Sequence, residues 1–207
     1  MFARLLLVLL LAFPSLGTAA GAPVVLVVGD SISAGYGLAS GEGWVTLLEQ
    51  RLTAERYPHR VVNASISGDT TAGGRARLPA LLKQHAPAIV IIELGGNDAL
   101  RGQPLAGTRA NLDAMTAISQ KAGAKVLLVG LRLPPNLGPM YVREFDRLYV
   151  DVAKTYRAAL VPYLFEGFGE NLAMFQPDQI HPTAQAQSRI VDIVWPALKP
   201  LLGGAAR

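Results

Sequence analysis

A serine, a histidine and an aspartate can cleave an acyl bond when the histidine takes the serine's proton and the aspartate orients the histidine. Ser31 stands in Gly29-Asp30-Ser31, directly after an apolar run, and Asp178 and His181 stand three apart in Asp178-Gln179-Ile180-His181-Pro182. That spacing lets one turn bring the carboxylate to one imidazole nitrogen and leaves the other nitrogen for Ser31. Pro182 restricts the backbone at His181 and suits the start of a following helix. Two more polar, glycine-bearing segments supply hydrogen-bond donors: Ser67-Gly68-Asp69-Thr70-Thr71 and Gly95-Gly96-Asn97-Asp98. The N–H of Gly68, which no side chain obstructs, the amide of Asn97 and the N–H of Ser31 fit an oxyanion hole. Each such donor is worth about 3 kcal/mol of transition-state stabilisation. Taken singly, each segment also reads as an ordinary capping turn or loop.

The elements around these segments decide whether they can meet. Short apolar, β-branched runs at Pro23–Val28, Arg60–Ser65, Ala88–Leu94, Lys125–Leu131 and Ala159–Leu164 read as buried parallel strands. Amphipathic stretches lie between them at Trp44–Tyr57, Thr71–His85, Thr108–Ala122 and Tyr141–Ala158, with a last helix from Thr183 to Leu201 that Pro196 should bend or break. Strand-helix alternation with near-continuous apolar strands predicts one α/β domain, a three-layer sandwich with helices on both faces of a five-stranded parallel sheet. In such sheets ligands collect beyond the carboxyl ends of the strands. The Ser31, Gly68 and Asn97 segments each follow a predicted strand, and the Asp178–His181 segment precedes the last helix. All four are therefore expected at one end of the sheet.

Gly29-Asp-Ser31, Gly68, Gly-Gly-Asn97-Asp and Asp178-x-x-His181-Pro resemble, in order, the blocks of the GDSL or SGNH hydrolase family. Asn63–Gly74, Glu93–Asp98 and Leu131–Gly138 are similar to a subgroup of periplasmic or secreted multifunctional enzymes, variously thioesterase I, lysophospholipase or arylesterase. The resemblance spans about Val24 to Leu202. It implies a flavodoxin-like sandwich, Ser31 as nucleophile, His181 as base, Asp178 as its orienter, and an oxyanion hole from Ser31, Gly68 and Asn97. It also implies cleavage of esters or thioesters of acyl chains with neither a metal nor an organic cofactor. Ile32 stands where the family name has leucine, and Ala99 follows Asn-Asp where glycine is common, beside the expected acyl groove. No Gly-x-Ser-x-Gly occurs, so the nucleophile elbow of the α/β-hydrolases is missing.

Composition narrows the classes further. The 207 residues are 51% hydrophobic and 16% charged, too apolar for a disordered chain. With no cysteine, there is no disulfide, thiolate metal site, cysteine nucleophile or lipidated cysteine. His59, His85 and His181 have no metal-ligand spacing. The net charge of +4 is dispersed rather than gathered in a basic run, which argues against nucleic acid as a partner. Arg4, the apolar run Leu5–Phe13 and the small residues up to Ala20 have the order of a secretory signal peptide, leaving residues 21–207 as the hydrolase domain. The apolar run is far short of the roughly 20 residues that span a bilayer. A periplasmic or secreted bacterial enzyme acting on a small acyl ester is the expectation. Monomer is the default, and contact with a lipid surface stays open. Arg101 reads as a solvated loop arginine, with contact to a phosphate or carboxylate head group as the alternative. Leu100, Leu105, Ile118, Met140, Phe165, Phe168, Met174 and Phe175 are expected mostly in the core, with some residues between Leu131 and Pro177 lining an acyl site. Two other readings stay open: a carbohydrate O-acetyl esterase of the same superfamily, and a non-catalytic module whose Gly29–Gly35 loop holds a phosphate.

Overall fold

Each strand of the computed structural model, which describes residues 21–205, coincides with an apolar run of the sequence. The strands are β1 (Val24–Gly29), β2 (Arg60–Asn63), β3 (Ile89–Glu93), β4 (Lys125–Val129) and β5 (Ala159–Val161), all parallel in the order β2-β1-β3-β4-β5. Residues 1–20, read above as a signal peptide, lie outside the described residues. Val25 to Val28 and Ile89 to Ile92 are completely buried, because helices cover the sheet on both faces. On one face lie α2 (Trp44–Ala54) and α7 (Ala184–Leu202); on the other lie α3 (Thr71–His85), α5 (Leu105–Lys121) and α6 (Pro139–Tyr156). This is the doubly wound, flavodoxin-like arrangement, whose switch point falls between β1 and β3.

Two further helices escape sequence periodicity because they are single turns. Ser31–Ala34 (α1) follows β1 and Gly96–Leu100 (α4) follows β3, so both flank the switch point. Strand ends differ from the apolar runs where the ladder ends first. Pro162 has no N–H to continue β5. Ala64 and Ile66, beyond β2, still donate to the Val27 and Gly29 carbonyls and carry the Gly68 loop along the end of β1. The last helix is not broken: α7 runs through Pro196 and Pro200. Its buried stripe of Ile190, Val194, Trp195 and Leu198 packs on the core, and this tertiary contact outweighs the missing N–H groups. Helix α5 starts three residues before the predicted Thr108, its first turn fixed by buried Leu105.

Candidate active site

Ser31 is the first residue of α1, immediately beyond the carboxyl end of β1. Asp30 caps that turn: its Oδ1 accepts the Ile32 N–H at 3.0 Å, and Gly35 closes it in the left-handed conformation. Ile32, in the position where leucine is usual, is buried.

From the other side of the sheet's end comes the loop before α7. Phe175 and Pro182 form an antiparallel bridge, Gln176 N donates to His181 O at 2.7 Å, and Thr183 N donates to Met174 O at 2.8 Å. Between them Gln179 takes a positive φ of 58°, a strained conformation for a side-chain-bearing residue. The reversal folds Asp178 back on His181. Asp178 Oδ1 accepts the Ile180 and His181 N–H groups, and Oδ2 lies 2.7 Å from His181 Nδ1. The other imidazole nitrogen, Nε2, stands 2.9 Å from Ser31 Oγ. Hydrogen bonds from the backbone and side chain of His181 hold the Asp178 carboxyl down at about 2, so it is ionised at neutral pH. Gln187 on α7 donates to the Pro182 and Thr183 carbonyls and accepts Trp44 N–H at 2.9 Å, tying this loop to the start of α2.

The structure also brings the donor segments here. Gly68 has φ of 78°, in the region where glycine is favoured, and lines the same cleft as Ser31, Asn97 and His181. Asn97 Nδ2 donates to Asp30 Oδ2 at 3.0 Å. The cleft measures about 720 Å³, and Leu100, Leu131, Leu133, Pro134, Phe165 and Phe175 contribute an apolar wall. Tyr36, its ring centroid 4.5 Å from that of His181, and Ile180 edge the mouth while remaining about half exposed.

Other sequence candidates are placed elsewhere. His85 sits in the last turn of α3, and His59 just precedes β2, at the amino end of the sheet. Arg101 is exposed, and its Nη2 donates to Gly68 O at 2.9 Å and braces that loop. Ala99, expected beside the groove, is buried in the core, and its neighbour Leu100 lines the cleft instead. A short helix turns adjacent residues to opposite sides, a distinction that sequence distance does not show. Leu100 and Met140, expected in the core, are exposed. Asp98 is a buried tether, accepting both the N–H and the hydroxyl of Thr71 and so fastening α4 to the start of α3. Among the described residues no group of three or more His, Cys, Asp or Glu could hold a metal ion.

The GDSL-like lipase/acylhydrolase family model matches residues 27–189, most of the chain and all of the segments just described. The chain belongs to that family. It is 55% identical to an esterase of Pseudomonas aeruginosa, TesA, over 93% of this chain and 96% of that protein. It is 42% identical to the thioesterase 1/protease 1/lysophospholipase L1 of Escherichia coli K12, over 89% and 87%. The crystal structure of TesA superposes with a TM-score of 0.84 at 56% identity, covering 86% of this chain and 99% of that one. The flavodoxin-like sandwich expected of a GDSL hydrolase is therefore what this chain adopts.

Sequence reasoning passed over three side chains around this GDSL site. Asp30, besides capping α1, holds Asn97. Arg77 on α3 donates to Asp69 at 2.8 Å and to the Ala64 carbonyl, clamping the Gly68 loop. Glu93, the last residue of β3, is completely buried. A lone acid ending an otherwise apolar strand was a usable signal, since a buried carboxyl needs a partner.

Proposed function

We propose that this chain is a serine hydrolase that cleaves carboxylic esters and thioesters of acyl chains through an acyl-Ser31 intermediate. The observation that carries the reading is the continuous relay Ser31 Oγ, His181 Nε2, His181 Nδ1, Asp178 Oδ2, with steps of 2.9 and 2.7 Å, opening on an apolar cleft. Ser31 attacks the acyl carbonyl while His181 takes its proton, and ionised Asp178 holds the imidazole in the required tautomer. The tetrahedral oxyanion takes hydrogen bonds from the N–H groups of Ser31 and Gly68 and from the Asn97 amide. His181 then gives its proton to the departing alkoxide or thiolate, which leaves as the alcohol or thiol while the Ser31 ester forms. Water, losing a proton to His181, attacks that ester, and the intermediate collapses as His181 returns the proton to Ser31 Oγ, releasing the carboxylic acid and free Ser31.

The apolar wall favours an acyl chain over a sugar as the bound group. Its extent accommodates chains longer than acetyl, and Arg132, stacked over Tyr163 at 4.4 Å, stands at its rim for a polar head. Lysophospholipids and related lipid esters suit that combination. With residues 1–20 as a secretory leader, the enzyme works as a monomer in the periplasm or outside the cell and meets its substrate at lipid surfaces. The test is a panel of nitrophenyl esters from acetate to palmitate with the wild type and Ser31→Ala. The expected result is a kcat/KM maximum at medium chain length and loss of turnover by at least about 10⁴-fold in the variant. A sharp acetate preference would move the assignment to an O-acetyl esterase; a fully active variant would end the Ser31 mechanism.

A further inference from the structure

Two carboxyl groups lie beneath the nucleophile turn, and neither takes part in the proton relay. Asp30 is 2% exposed, and its two oxygens do separate work: Oδ1 accepts Ile32 N–H, while Oδ2 accepts Asn97 Nδ2–H. Glu93 is fully buried below it; its Oε2 accepts the Ser33 hydroxyl at 2.6 Å and lies 3.4 Å from Asp30 N. Its Oε1 is buried without a hydrogen-bond partner. Gly29 is part of the same arrangement: a Cβ there would stand 2.7 Å from Ser33 Oγ and 2.8 Å from Glu93 Oε2. The glycine of the Gly-Asp-Ser segment thus makes room for the Glu93 carboxyl to seat α1 on the end of β1.

The consequence concerns Asn97. Its amide can present either N–H or C=O toward the cleft, and only the N–H stabilises an oxyanion. An ionised carboxylate accepts and never donates, so Asp30 selects the orientation in which Nδ2 faces it, with the second N–H of that nitrogen left for the cleft. We propose that Asp30 is a positioning residue for the oxyanion hole, fixing the Asn97 amide, and that Glu93 anchors the turn that carries it. The proposal rests on the reading of Asn97 as an oxyanion donor. It predicts that replacing the acceptor by an amide, which can donate, turns the Asn97 carbonyl into the hole.

A double-mutant cycle separates this from a merely structural role. Asn97→Ala is expected to lower kcat by about 10²-fold or more. Asp30→Asn, which keeps size and the cap to Ile32, is expected to lower kcat about ten- to a hundredfold with KM little changed. In the Asn97→Ala background the same change should cost less than about threefold. Equal cost in both backgrounds, or an effect on KM alone, overturns the Asp30 proposal while leaving Asn97 in its role. A kcat for Asn97→Ala equal to the wild type overturns both readings. Glu93→Gln, which retains an acceptor for Ser33, should keep at least about tenfold more kcat than Glu93→Ala, both measured on protein with a cooperative melt. Equal losses would remove Glu93 from the anchor role.

Discussion

The acids around Ser31 are held in opposite charge-setting environments. Asp178 is solvated and takes three hydrogen bonds from Ile180 N, His181 N and His181 Nδ1, which depress its pKa to about 2. Its contribution to stability is present above the ordinary carboxylate range and is lost only as pH falls toward 2. Asp30 is raised to about 6, chiefly by burial, against the lowering effect of the Ile32 N–H, His181 and Asn97; Asp69 adds to the rise. Glu93 is driven well above its ordinary value by burial, with Asp30 beside it. Between pH 3.8 and about 6 the folded state therefore binds more proton at Asp30 than the unfolded state does. Stability falls with rising pH across that window, by about 3 kcal/mol if the whole shift is expressed. Asp30→Asn has no such titration. The melting temperature of the variant should gain on that of the wild type between pH 4 and pH 7, while its kcat falls. A difference independent of pH would show that burial does not raise the Asp30 carboxyl in the folded protein. An enzyme that keeps a costly buried carboxylate at its site trades stability for activity.

At the scale of elements, the site depends on two helices too short to stand alone. α1 has four residues and α4 five, below the length at which a helix is self-sustaining. Asp30 caps α1 and Glu93, through Ser33, ties it to β3, while Asp98, through Thr71 and Thr108, holds α4. Gly29→Ala should therefore cost about 1–3 kcal/mol in a urea melt, the price of overpacking against Ser33 and Glu93, and lower kcat with it. A variant with wild-type stability would mean that the Glu93 seat is loose. The five strands were legible because Val24–Gly29 and its counterparts are apolar runs that only burial on both faces explains. The Ser31, Gly68 and Asn97 segments were legible because their residue types match a reaction and follow strands, and the Asp178–His181 segment because its spacing suits a carboxylate and imidazole pair just before the last helix. The bond from Asp30 to Asn97 was not, since it joins residues 67 apart and depends on the register between β1 and β3. Nor was the unbroken α7, whose prolines argue locally for a break and whose buried stripe argues otherwise only after it packs.

For the molecule as a whole, sheet order explains why these parts meet. The chain reverses direction across the sheet between β1 and β3, so the loops after those strands diverge and leave a crevice. Ser31 and Asn97 enter it from its two walls, and the Asp178–His181 loop closes it from the start of α7. Among the described residues no helix is long and apolar enough to cross a membrane, and the net charge of the chain is +4. The most direct test of the account is labelling with a fluorophosphonate, followed by peptide mass spectrometry and a parallel assay of ester turnover. A single adduct on Ser31 is expected, with loss of activity in proportion to it. An adduct on another residue, or undiminished turnover with Ser31 fully modified, would contradict it.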